Sequence, residues 1–119
     1  MASIIDRTLA KSLIENYKQQ NATAGGSALL TPDEQLLNGY FIDRASLDAI
    51  LSNPVFVGLN VHLAKHPDFP DSEKNIITIV FAGAQPNPDY NGSNGVAPYL
   101  NSGDLYELVG ACPPFCGGL

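Results

Sequence analysis

Two pairs of side chains capable of metal or redox chemistry stand four positions apart in this chain. Cys112 and Cys116 close the run Cys112-Pro113-Pro114-Phe115-Cys116, and His62 and His66 close His62-Leu63-Ala64-Lys65-His66. The two prolines stiffen the first run and can hold its thiols near each other. Three chemistries are open to it. One is a small disulfide-closed loop, which needs an oxidising compartment. Another is half of a metal site. The third is a pair of buried or tail-anchoring thiols, with Phe115 as the plug. Two sulfurs and two imidazoles are also the donor set of a tetrahedral zinc centre. The histidine spacing works against that centre, because positions four apart on a strand lie about 13 Å from each other at a rise near 3.3 Å per residue. Bonds to zinc are only about 2 Å long. The four-ligand set therefore requires the strand to end by Leu63 and the chain to bend. No cofactor is expected, and Cys112, Cys116, His62 and His66 are the metal candidates.

Other reactive groups do not converge. A nucleophilic site needs a base beside the nucleophile and a group to orient that base. Cysteine, histidine and Asp68 can be written down as such a set, but nothing in their spacing brings them together. Carboxylate pairs such as Asp33/Glu34 and Asp71/Glu73 fall in polar stretches, where solvation is the ordinary state. Gly25-Gly26 and Gly117-Gly118 lack the strand–glycine–helix context of a phosphate-binding loop. A small enzyme is thus the third reading. It would need a deep pocket lined by polar groups from Gln85 to Gly103.

The elements that must position these residues follow from periodicity. Ile5, Leu9, Leu13 and Tyr17, widened by Ile14, recur at helical spacing and predict an amphipathic helix from about Ile4 to Gln19, capped by Ser3. Asn21 to Ser27, with Gly25-Gly26, ends it. Gly39 to Ile42 reads as a short strand. Asp43 caps a second helix from Arg44 to Ser52, stopped by Asn53-Pro54. Val57 to Ala64 alternates as a half-buried strand, and Asn75 to Ala84, apolar on both sides, reads as a central one. Antiparallel pairing of these two is expected. Gln85 to Gly103 is turn-rich and reads as a long irregular loop, and Asp104 to Val109 as a last strand. The fold class is α+β, an antiparallel sheet of three or four strands with two helices packed on one face. Residues 1–111 form a single domain and 112–119 a Cys/Pro/Gly-rich tail. Leu9, Leu13, Leu47, Ile50, Leu51, Leu59, Val61, Ile77, Ile79 and Phe81 are the expected core.

Composition bounds the partners. The chain has 119 residues, 45% of them hydrophobic, and carries a net charge of −6 with only six Lys and Arg. Those six are scattered, so the basic cluster that neutralises phosphates is missing and nucleic acid is not an expected partner. No apolar run is long enough for membrane insertion, and no secretory signal is visible, so the cytoplasm is the default expectation. Charged residues make up 15% of the chain, where soluble domains average about a quarter. A surface so poor in charge associates readily, with another protein or with itself.

The order of elements, with Phe41-Ile42-Asp43, Leu47-Asp48-Ala49-Ile50-Leu51, Gly58-Leu59-Asn60-Val61 and the terminal Cys112-Pro113-Pro114-Phe115-Cys116, resembles a group of small Bacteroidota proteins ending in Cys-Pro-Pro-aromatic-Cys. That resemblance implies a bacterial protein and carries no activity with it. The leading expectation is a non-enzymatic protein-interaction or self-assembly module, a homo-oligomer in its simplest form. The alternative is a thiol/disulfide or zinc-binding module built on Cys112 and Cys116.

Overall fold

The computed structural model describes residues 2–65, 74–92, 95–107, 110–112 and 116–117. Helix α1 runs Arg7–Ala22, followed by a 3-10 turn at Gly25–Ser27, strand β1 at Leu29–Leu30 and strand β2 at Gly39–Tyr40. Helix α2 (Arg44–Leu51) leads to β3 (Gly58–Lys65), β4 (Asn75–Pro86), β5 (Tyr99–Glu107) and β6 (Ala111–Cys112). None of the described helices is long and apolar enough to cross a membrane.

The class is α+β, but the sheet is mixed rather than purely antiparallel. β4 is its spine. β3 pairs antiparallel along one side, from Gly58–Ala84 to Lys65–Ile77 without interruption. The other side of β4 is shared. β1 pairs parallel at Leu29–Asn75 and Leu30–Ile76, and β5 pairs antiparallel from Pro86–Tyr99 to Val80–Glu107. A second, two-stranded sheet joins β2 to β6.

Residues directly opposite on paired strands share a face. Leu59, Val61 and Leu63 therefore lie on the same side as Gly83, Phe81 and Ile79. Ile50 of α2, Phe56, Tyr40, Ile42 and Leu59 pack there against buried Ile79 and Phe81. Tyr106 stacks on Phe81 with ring centroids 5.6 Å apart. Phe56 lies over Gly83 so closely that a Cβ at that position would overlap the ring.

α1 begins later than its periodicity predicts. Asp6, not Ser3, is the cap, with its carboxylate accepting from the N–H groups of Thr8 and Leu9 at 3.0 and 3.3 Å. A carboxylate at this position also meets the positive end of the helix dipole, an advantage a serine hydroxyl lacks. Asp43 caps α2 as expected, accepting from Ser46 N–H at 3.0 Å.

The apolar stripe of α1 is not core. Ile5, Leu9, Leu13, Ile14 and Tyr17 remain between 37% and 54% exposed. Leu51 and Val61, also expected inside, are exposed, while Ile76, Ala82 and Ala84 are buried instead. The buried residue of α1 is polar Asn21. Its carboxamide bonds to Leu29 N–H and C=O and to Leu37 C=O, and Tyr17 donates to the same Leu37 carbonyl at 2.7 Å. The helix is thus fastened by its C-terminal half to the β1 region through polar contacts.

Candidate functional site

The tail begins inside the fold. Cys112 pairs with Gly39 and Ala111 with Tyr40. Asn38 N–H donates to Cys112 C=O, and Phe41 N–H to Gly110 C=O, each at 2.8 Å. Cys112 is buried and Cys116 exposed. A disulfide joins them, with Cα atoms 5.2 Å apart, inside the usual span of about 4.4–6.8 Å. In this bridged state neither sulfur is a thiolate that could ligate a metal or act as a nucleophile. What the arrangement can do is exchange. A thiolate arriving from solvent meets Cys116 first and would expel the buried Cys112 sulfur. Pro113, Pro114 and Phe115 lie outside the described residues.

The histidine half of the four-ligand set fares differently. β3 continues through Lys65, so the bend after Leu63 that the pair requires is not made. His66 lies outside the described residues. His62 Nε2 sits 3.2 Å from Asn101 Oδ1, and the same oxygen accepts from Asn60 Nδ2 at 2.9 Å. Among the described residues, no three His, Cys, Asp or Glu side chains gather as a metal ion would need.

This amide–imidazole group lies on the sheet face opposite the core cluster, above Ala82 and Ala84, the β4 partners of Asn60 and Asn101. Two strand spacings, roughly 9.5 Å, separate β3 from β5. The Asn60–Asn101 contact spans that distance and ties β3 to β5 over the small alanine side chains of β4. The small β4 side chains leave the floor low. At the end of the same region a cavity of about 330 Å³ is lined by Val57, Gly58, Leu59, Asn60, Ala84 and Tyr99. Its lining is mostly apolar, and Tyr99 is the residue it takes from the segment 85–103.

Sequence reasoning missed this cluster. Alternation along β3 correctly sets Asn60 and His62 on the same polar side. Asn101, however, falls in the segment read as loop. The structure instead extends β4 to Pro86 and starts β5 at Tyr99, so the expected loop from Gln85 to Gly103 is strand at both ends. Gly103, at φ +75°, sits where three β5 residues stand against Ala82, and it supplies the left-handed backbone that keeps strand pairing on both sides of the irregularity.

Tyr40 adds an electrostatic feature between the two sheets. Its hydroxyl is buried with no hydrogen-bond partner among the described residues. Burial, and then the neighbouring Tyr17, push its pKa up to about 12. Burial raises Tyr17 as well.

No family model matches the chain, and no curated protein or solved structure is similar enough to it to count as a match.

Proposed function

We propose that the chain is a non-enzymatic protein-interaction module that works by covering its apolar surface with another protein, a second copy of itself in the simplest case. One observation carries the reading: α1 turns a continuous apolar stripe outward while burying an asparagine. The uncovered surface is large. The chain exposes 8261 Å², where a folded monomer of its mass has roughly 6,200 Å². Glutamate at both Leu9 and Leu13 tests the stripe. Association measured by light scattering should weaken at least tenfold while the circular dichroism spectrum stays native. Unaltered association would remove α1 from the account.

A second reading is favoured by the bridge between Cys112 and Cys116. A disulfide with one exposed and one buried sulfur suits a thiol/disulfide module. Intact mass before and after mild reduction checks it. Uptake of two hydrogens at a rate matching thiol-exchange proteins supports the reading, and two free thiols in the isolated protein oppose it.

A further inference from the structure

We propose that β3 is the edge on which a second copy of this chain adds, strand antiparallel to strand, with Val61 opposite Val61. The inference rests on the self-association reading and adds to it a contact surface distinct from the α1 stripe. β3 ends the strand order β1-β4-β3, and among the described residues nothing pairs with its outer side. Its pairing to β4 is regular over its whole length. Protein edges exposed in this way are ordinarily guarded by proline, a bulge or an inward charge. β5 carries such guards, with its irregularity at Gly103, then Asp104 and Glu107. β3 carries none between Gly58 and Ala64, and Lys65 stands at its end.

The strand also complements itself. In a two-fold antiparallel pair the core face stays continuous only when odd positions meet odd positions. Centring on Val61 sets Val61 against Val61 and Leu59 against Leu63 on each side of the axis. Leu63 and Val61, now 75% and 51% exposed, would then be covered by apolar neighbours. On the other face Asn60 meets His62, so an amide opposes an imidazole. Lys65 falls opposite Val57, outside the ladder, and no like charges meet. Centring on His62 instead would set two imidazoles together and put Lys65 against Leu59. Centring on Leu63 would put Lys65 against Val61. Centring on Asn60 would leave much of β3 unpaired. The Val61 register uses the strand from Gly58 to Ala64 with no such conflict.

Cysteine scanning under mild oxidation tests the register in the full chain with its native bridge intact. Val61→Cys places two thiols across the symmetry axis at cross-strand distance, so a dimer linked through the two substituted positions is expected in peptide mapping. Leu63→Cys places its thiols about 13 Å apart along the strands and should link at least tenfold less. If light scattering shows a dimer but position 61 does not link, or links no better than position 63, the edge is wrong while self-association stands. A chain that is monomeric at every concentration overturns both.

Discussion

The Asn21 carboxamide holds the backbone of Leu29 at both ends, accepting its N–H at 2.7 Å and donating to its C=O at 2.9 Å. The side chain does for β1 what a neighbouring strand would do, and it ties α1 to the sheet. Asn21→Ala would strand a Leu29 donor in a part-buried setting, at a cost of about 1–3 kcal/mol. Asn21→Asp keeps the acceptor but loses the donor and sets a charge against two carbonyls, so it should be no better. Urea denaturation of the three proteins gives the comparison. A loss below about 0.5 kcal/mol would mean the helix is held by something else.

Gly83 is required by Phe56. A methyl group at this position meets the ring within 2.8 Å at three of its carbons, so Gly83→Ala must displace Phe56 from the core and destabilise by about 1–3 kcal/mol. Phe56→Leu in that background should recover part of the loss, which a double-mutant cycle in thermal melts would reveal as coupling. Additive effects would contradict the contact.

Alkaline pH should unfold the protein through Tyr40. Its phenol ionises near 10.0 when unfolded and at about 12 when folded. The folded state therefore favours the neutral form. Stability from this group is complete below pH 10 and is lost as pH climbs from 10 towards 12. Tyr40→Phe removes a buried hydroxyl with no hydrogen-bond partner among the described residues, so it should hold or raise stability at pH 7 by up to about 1 kcal/mol. It should also flatten the fall above pH 10, leaving the smaller contribution of Tyr17. Melting temperatures from pH 8 to 12 make the check. An unchanged alkaline fall would assign it to other groups.

Reducing the Cys112–Cys116 bridge should cost little. A loop closed over four positions restricts the unfolded chain by about 2 kcal/mol, and β6 keeps its backbone bonds to β2 without the sulfurs. The reduced protein should therefore stay folded, with a lower melting temperature and an otherwise native circular dichroism spectrum. Collapse on reduction would show that the bridge, not β2–β6 pairing, secures the tail.

The parts legible in the sequence were those with strong local signals. Asp43 and the Leu47, Ile50, Leu51 spacing mark α2, and the alternation over Val57 to Ala64 with the two-sided apolar run over Asn75 to Ala84 marks the β3–β4 pair. Periodicity along α1 shows which face is apolar but not what that face meets, so Leu9 and Leu13 read as core. β1 is two residues long and owes its place to Asn21 and β4, which no local pattern records. Asn101, Ser102 and Gly103 are turn residues by composition, and pairing with β4 overrides that preference. For the same reason the contact of His62 and Asn60 with Asn101 was invisible. The nearness of Cys112 and Cys116 was legible from their spacing. Their bridged state was one of three readings the sequence left open.

Light scattering of the intact oxidised chain across a wide concentration range decides whether one copy covers another. If copies cover one another, the mass rises from 12.6 kDa to twice that value. A particle that stays at the single-chain mass up to millimolar concentration, with no protein bound to it, would contradict the account.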